Sequence, residues 1–129
     1  MSEENVELLR EMYRLRSLTK FADSLHPEAE LHQARVIPDT DAYYGREEFV
    51  RGVSLWLEEW ERFRYIPEDV IDLVERAIMR VRLSGRAKAS GIKLDQTTFH
   101  VWTFRDGVPW RCEVFTDEQR ARAAAGLSE

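Results

Sequence analysis

The chain has 129 residues, a formal net charge of −5, and 43% apolar, 33% charged and 11% aromatic residues. One domain of this length buries about two-thirds of its surface, and so many aromatics exclude a disordered chain. The acidic balance disfavours a nucleic-acid groove or an anionic membrane, and no run reaches the ~18 apolar residues of a membrane helix.

Met1 to Asn5 holds neither a basic region nor an apolar run, so no signal peptide is expected and the chain reads as cytoplasmic. Cys112 is the single cysteine, which excludes an internal disulfide. Residues 3–20 read as a helix. Val6, Leu9, Tyr13 and Arg16 form one stripe, with Ser2 as cap and Glu3 and Glu4 in the first turn. A short helical turn over Phe21–His26 stops at Pro27. Ala29–Ala34 alternates like a strand, and 36–44 reads as a loop through Pro38, Asp39 and Asp41.

The clearest helix spans 46–63, with Phe49, Val53, Trp56, Trp60 and Phe63 at helical spacing. After Pro67 the period changes to two. Strands are expected over 70–73, 78–89, 94–105 and 108–116, with a turn at Ser90-Gly91 and a hairpin at Asp106-Gly107. Pro109 fits an edge or a bulge. Thr116–Gln119 reads as a capping box for a last helix that stops at Gly126. The order implies an α+β fold with an antiparallel sheet, in a single domain over 1–129. No repeat, linker or low-complexity tract interrupts it.

A two-residue turn at Asp106-Gly107 sets Arg105 opposite Val108, Thr103 opposite Trp110, Val101 opposite Cys112 and Phe99 opposite Val114. That face is apolar and expected to meet the Trp56/Trp60 helix, with Met79, Val81 and Leu83 joining it. The other face sets His100 opposite Glu113, Trp102 opposite Arg111 and Phe104 opposite Pro109. Its mixture of charge and aromatics suits a subunit interface. A slip of one residue would exchange the two faces.

Several segments carry a family resemblance. They are Leu25–His32, Tyr44–Phe49 at the start of the long helix, Phe99–Gly107, Phe115–Asp117 and the Ala-rich tail Ala121–Leu127. In order and at these spacings, the chain resembles the SnoaL-like branch of the nuclear-transport-factor-2-like superfamily, which shares its fold with ketosteroid isomerase. The resemblance implies a cone: a curved, mainly antiparallel (mixed) sheet wrapped on N-terminal helices, with a long central helix and a pocket between sheet and helices. It also implies homodimers paired through the outer sheet face, here His100, Trp102, Phe104, Arg111 and Glu113. Fold alone does not fix activity.

SnoaL-like cyclases carry an acid on the last strand, past the hairpin glycine. Counting on from Gly107 puts Val114 there, and valine moves no proton. Glu30 and His32 remain, two apart on one face of a strand. In the cavity they would make a base with a neighbouring donor, the Glu pKa raised by burial; on a solvated edge they would do nothing. Tyr13, Tyr44, Trp56, Trp60, Val81, Phe99, Val101, Trp110, Cys112 and Val114 are the candidate pocket lining.

His26, His32 and His100 lack metal-ligand spacing, and no phosphate loop or dinucleotide glycine motif is present. Neither metal nor cofactor is expected. Two functions compete: a pocket for a small hydrophobic molecule, with proton-transfer (isomerase- or cyclase-like) or hydrolase chemistry, and a non-catalytic ligand-sensing or dimerisation module with a filled interior.

Overall fold

The computed structural model describes residues 2–15, 17–33 and 42–127. The expected loop at 36–41, the strand end at Ala34 and Arg16 of the first stripe lie outside these residues, as does the side chain of the expected cap Ser2. Helices α1 (Ser2–Arg14) and α2 (Leu18–Asp23) precede strands β1 (Glu30–Gln33) and β2 (Ala42–Tyr44). Then come α3 (Arg46–Leu57), β3 (Trp60–Asp72), β4 (Arg76–Ala87), β5 (Lys93–Arg105), β6 (Val108–Phe115) and α4 (Glu118–Ala124). The six strands make one mixed sheet in the order β2-β1-β6-β5-β4-β3. Only the β1–β6 pair is parallel. This is the expected α+β cone, curved and unclosed.

The single helix expected over 3–20 is two. Ser17 caps α2, its hydroxyl accepting from the Lys20 N–H at 3.2 Å. That cap starts a second helix. The stripe expected to run to Phe63 also breaks, because α3 stops at Leu57 and the central helix is correspondingly shorter. Trp60 and Phe63 already belong to β3, whose bulged start places Arg62 at φ 53°. β3 continues through Pro67 with a second irregularity at Pro67/Asp69, where the ring nitrogen has no proton to give the ladder. Residues 42–44, expected as loop, pair with β1 as an edge strand.

At the C-terminal end Asp117, not Thr116, caps α4, accepting from the Gln119 N–H at 2.9 Å. Gly126 ends the helix as expected, at φ 90°. Gly52 has a packing reason. A Cβ there would lie 2.6 Å from the Tyr43 ring, so the ring of β2 rests on bare α3 backbone.

Two apolar clusters sit on opposite faces of the sheet. On the concave face Leu9, Met12, Leu25, Phe49, Met79, Val81 and Trp102 pack beneath α1–α3. The Phe49 and Trp102 rings stack at 6.2 Å. On the convex face Ile78, Phe99 and Val101 pack beneath α4, against Ala121 and Ala125. Phe99 and Val101 were expected on the concave face, and this exchange decides the site. No helix among the described residues is long and apolar enough to cross a membrane.

Candidate functional site

The exchange has a local cause. Near the turn the pairing is as expected, Arg105 opposite Val108 and Phe104 opposite Pro109. The register then shifts, and Thr103 faces Arg111. Trp110 is the extra residue of a bulge beside Pro109. One extra residue reverses the parity of everything beyond it. Trp102 therefore faces Cys112, and His100 faces Val114. Across β4 the same residues face Ala77 and Met79.

His100 and Trp102 thus point into the cone, and Phe104 packs against the concave cluster. None of these expected interface residues lies on the outer face. Arg111 and Glu113 do, 3.5 Å apart.

Between the concave face and α1–α3 lies a cavity of about 800 Å³. Its walls include Met12, Phe21, Phe49, Val53, Trp56, Phe63, Leu83 and Trp102, with polar groups from Tyr13, Gln33, Tyr65, Gln96, Thr98 and His100, and the exposed side chains of Arg14 and Arg64 also reach it. Of the expected lining, Tyr13, Trp56, Cys112 and Val114 are present. Val81 is fully buried core. Trp60 packs on Trp56 at 5.2 Å, outside the cavity wall. Tyr44 is 62% exposed at the sheet edge. Trp110 donates its indole N–H to the Glu28 carbonyl at 3.1 Å and lies under the Arg105 guanidinium.

Glu30 and His32 do form a pair, Oε1 to Nε2 at 2.9 Å. Register places them on the other face. Leu31 sits opposite Cys112, whereas Glu30 and His32 sit opposite Arg111 and Glu113. The side chains are part-exposed and absent from the cavity wall. The expected base is therefore a hydrogen-bonded pair on the outer face, because β1 joins the sheet with Leu31 inward.

The cavity holds its own polar chain. The Trp102 indole N–H donates to the Tyr13 hydroxyl oxygen at 3.0 Å. The Thr98 hydroxyl donates to the Val81 carbonyl at 3.0 Å. That uses the only Thr98 proton, so the 3.1 Å contact to His100 must be Nε2–H donating to Oγ1. Nδ1 is then bare and accepts the Tyr13 O–H at 2.6 Å.

The imidazole in this chain is neutral. Burial agrees, pushing the His100 pKa down to about 4. Burial also raises the Tyr13, Tyr65 and Cys112 pKa values, and the proximity of Cys112 to both phenols adds to the effect. No Asp or Glu occurs among the described residues lining the cavity.

The sequence model described as the SnoaL-like domain matches residues 6–111. The chain belongs to the SnoaL-like domain family. Several solved structures share this SnoaL-like domain's fold. An NTF2-like protein from Burkholderia thailandensis E264 is 23% identical, with a TM-score of 0.77, over 94% of this chain and 95% of that one. TerC, co-crystallized with polyporic acid, is 18% identical, with a TM-score of 0.75, over 95% and 98%. A protein with a ketosteroid isomerase-like fold from Catenulispora acidiphila DSM 44928, in complex with trimethylamine, is 9% identical, with a TM-score of 0.73, over 98% and 95%. No curated protein matches the SnoaL-like domain in sequence.

Proposed function

We propose that this SnoaL-like domain binds a small hydrophobic molecule in the cone, without using it as a substrate for proton transfer. One observation carries the reading: an aromatic-walled cavity of about 800 Å³ that holds a buried, neutral hydrogen-bond chain and takes its two arginines only from exposed positions. The volume falls within the roughly 300–1,000 Å³ of small-molecule sites. Relatives of the same fold were crystallised with polyporic acid and with trimethylamine, which supports an occupied cone.

The chemistry favours binding over catalysis. A general base needs an available lone pair and a pKa near working pH. Both His100 nitrogens are engaged, and its pKa lies near 4. Val114 replaces the acid of the cyclases, and Glu30 and His32 face away.

A thermal-shift screen with steroid-like, terpenoid and aromatic compounds tests this. A binder at about 100 times its Kd adds roughly 2.7 kcal/mol of stability. The shift should vanish when Val53→Trp fills the cavity. A panel with no shift, or shifts that survive Val53→Trp, would end the reading.

In the same reading a second copy of the chain covers the outer face. Arg111 and Glu113 stand there beside Glu30 and His32, and the buried Arg111 Nε has no hydrogen-bond partner among the described residues. Sedimentation velocity should show a dimer that Arg111→Glu splits. A monomeric wild-type chain would remove this partner.

A further inference from the structure

The polar chain in the cavity leaves a small and specific remainder. Trp102 is donor-only, and its proton goes to the Tyr13 oxygen. The Tyr13 proton goes to His100 Nδ1, the His100 proton to Thr98, and the Thr98 proton to the Val81 carbonyl. Every hydrogen in the chain is used. What remains is a second lone pair on Thr98 Oγ1 and one on the Tyr13 oxygen, acceptors with no proton to offer, and Tyr13 is the one whose ring meets Tyr65.

Tyr65 is its complement. It lines the same cavity from β3, with its ring edge-on to Tyr13 at 6.4 Å and to His100 at 6.2 Å. Its hydroxyl makes no hydrogen bond to another described residue and keeps an unused proton. Burial holds both phenols neutral, so neither becomes an anion to attract a cation. The inner end of the cavity thus offers one acceptor and one donor, both uncharged, on touching rings. A ligand carbonyl or ether oxygen could satisfy Tyr65 alone. A carboxylate has no proton for Tyr13, and the cavity's two arginines, Arg14 and Arg64, are exposed side chains rather than buried partners of these rings. A hydroxyl answers both.

We propose that the cavity recognises the hydroxyl group of a neutral apolar molecule, an alcohol or a phenol, which donates to Tyr13 and accepts from Tyr65. This rests on the binding reading above and adds the chemical class of the ligand. Unsatisfied buried groups give the discrimination. A ligand without the proton leaves the Tyr13 lone pair dry, and a hydrogen bond of this kind changes affinity roughly two- to tenfold.

The test is titration calorimetry of the full chain at neutral pH with 2-naphthol and with 2-methoxynaphthalene. The ether accepts from Tyr65 but cannot donate to Tyr13. The naphthol should bind several-fold tighter. Tyr65→Phe removes a hydroxyl with no hydrogen-bond partner among the described residues, so the variant should fold. It should weaken both compounds by a similar factor and preserve their ratio, which Tyr13 sets. Equal wild-type affinities overturn the hydroxyl assignment while leaving the cavity a binding site. So do unchanged affinities in Tyr65→Phe. If neither compound binds, the binding reading fails and this one fails with it.

Discussion

The two faces of the sheet are built from the same strands and solve opposite problems. On β4, Val81 and Leu83 point inward while Arg80 and Arg82, alternating with them, point out. The outer arginines take carboxylates: Arg82 holds Asp95 at 2.8 and 3.1 Å, and Arg80 reaches Asp69 and Glu68. These pairs are exposed, and water does much of their work. The inner face takes arginines, Arg14 and Arg64, only at exposed positions of the cavity wall. Thr98, His100, Trp102 and Tyr13 are polar there, but neutral and bonded to one another. Charge is cheap where water screens it. In the dry interior, polarity survives only as a closed set of donors and acceptors.

The strongest break in this contrast is Trp102→Ala. It removes a fully buried ring stacked on Phe49 and the donor that Tyr13 accepts. Urea unfolding should show a loss of about 3–5 kcal/mol. A loss below about 1 kcal/mol would mean the concave face is not packed as described.

Next comes pH. The folded pKa of His100 is about 4 against an ordinary 6.5. Between these values the unfolded chain binds the proton more readily, so stability rises with pH there. The contribution is present above pH 6.5 and lost as pH falls to about 4, at most on the order of 3 kcal/mol. Unfolding curves between pH 7 and 5 should show a decline that His100→Gln flattens. Parallel pH profiles would disprove a neutral buried imidazole.

Arg82→Gln should lower the melting temperature only slightly, and added salt should shrink the difference further. A loss rivalling that of Trp102→Ala would erase the distinction between the faces. Glu30→Gln should do least. Calorimetry should find its affinity for any cavity ligand equal to wild type, since Glu30 lies on the far face. A clear drop would return Glu30 to the cavity.

Much of the fold was legible locally. The Asp106-Gly107 hairpin, the alternation of β4 and the Gly126 stop each follow from a few neighbouring residues. Cys112 and Val114 were also placed correctly on the cavity side of β6. Their partners on β5 were not, because parity was carried past Pro109 without an extra residue. The proline was the available signal, since a residue without an N–H belongs at such an interruption.

Trp60 and Phe63 misled for a different reason. Trp56 and Phe63 line one cavity, the first from a helix and the second from a strand, and Trp60 packs on Trp56 between them, so helical spacing runs on across the join. Glu30 and His32 were rightly put on one face of β1. Which face depended on the parallel pairing with β6, a contact between distant parts of the chain that no local pattern encodes.

The chain of hydrogen bonds from Trp102 to Val81 has blocked terminals. An indole nitrogen at one end cannot take a proton, and a peptide carbonyl at the other cannot give one. Such a line carries no current of protons in either direction. It acts instead as a clamp, fastening helix α1 through Tyr13 to β5 and on to β4, and holding the imidazole in one tautomer whether or not the cone is filled.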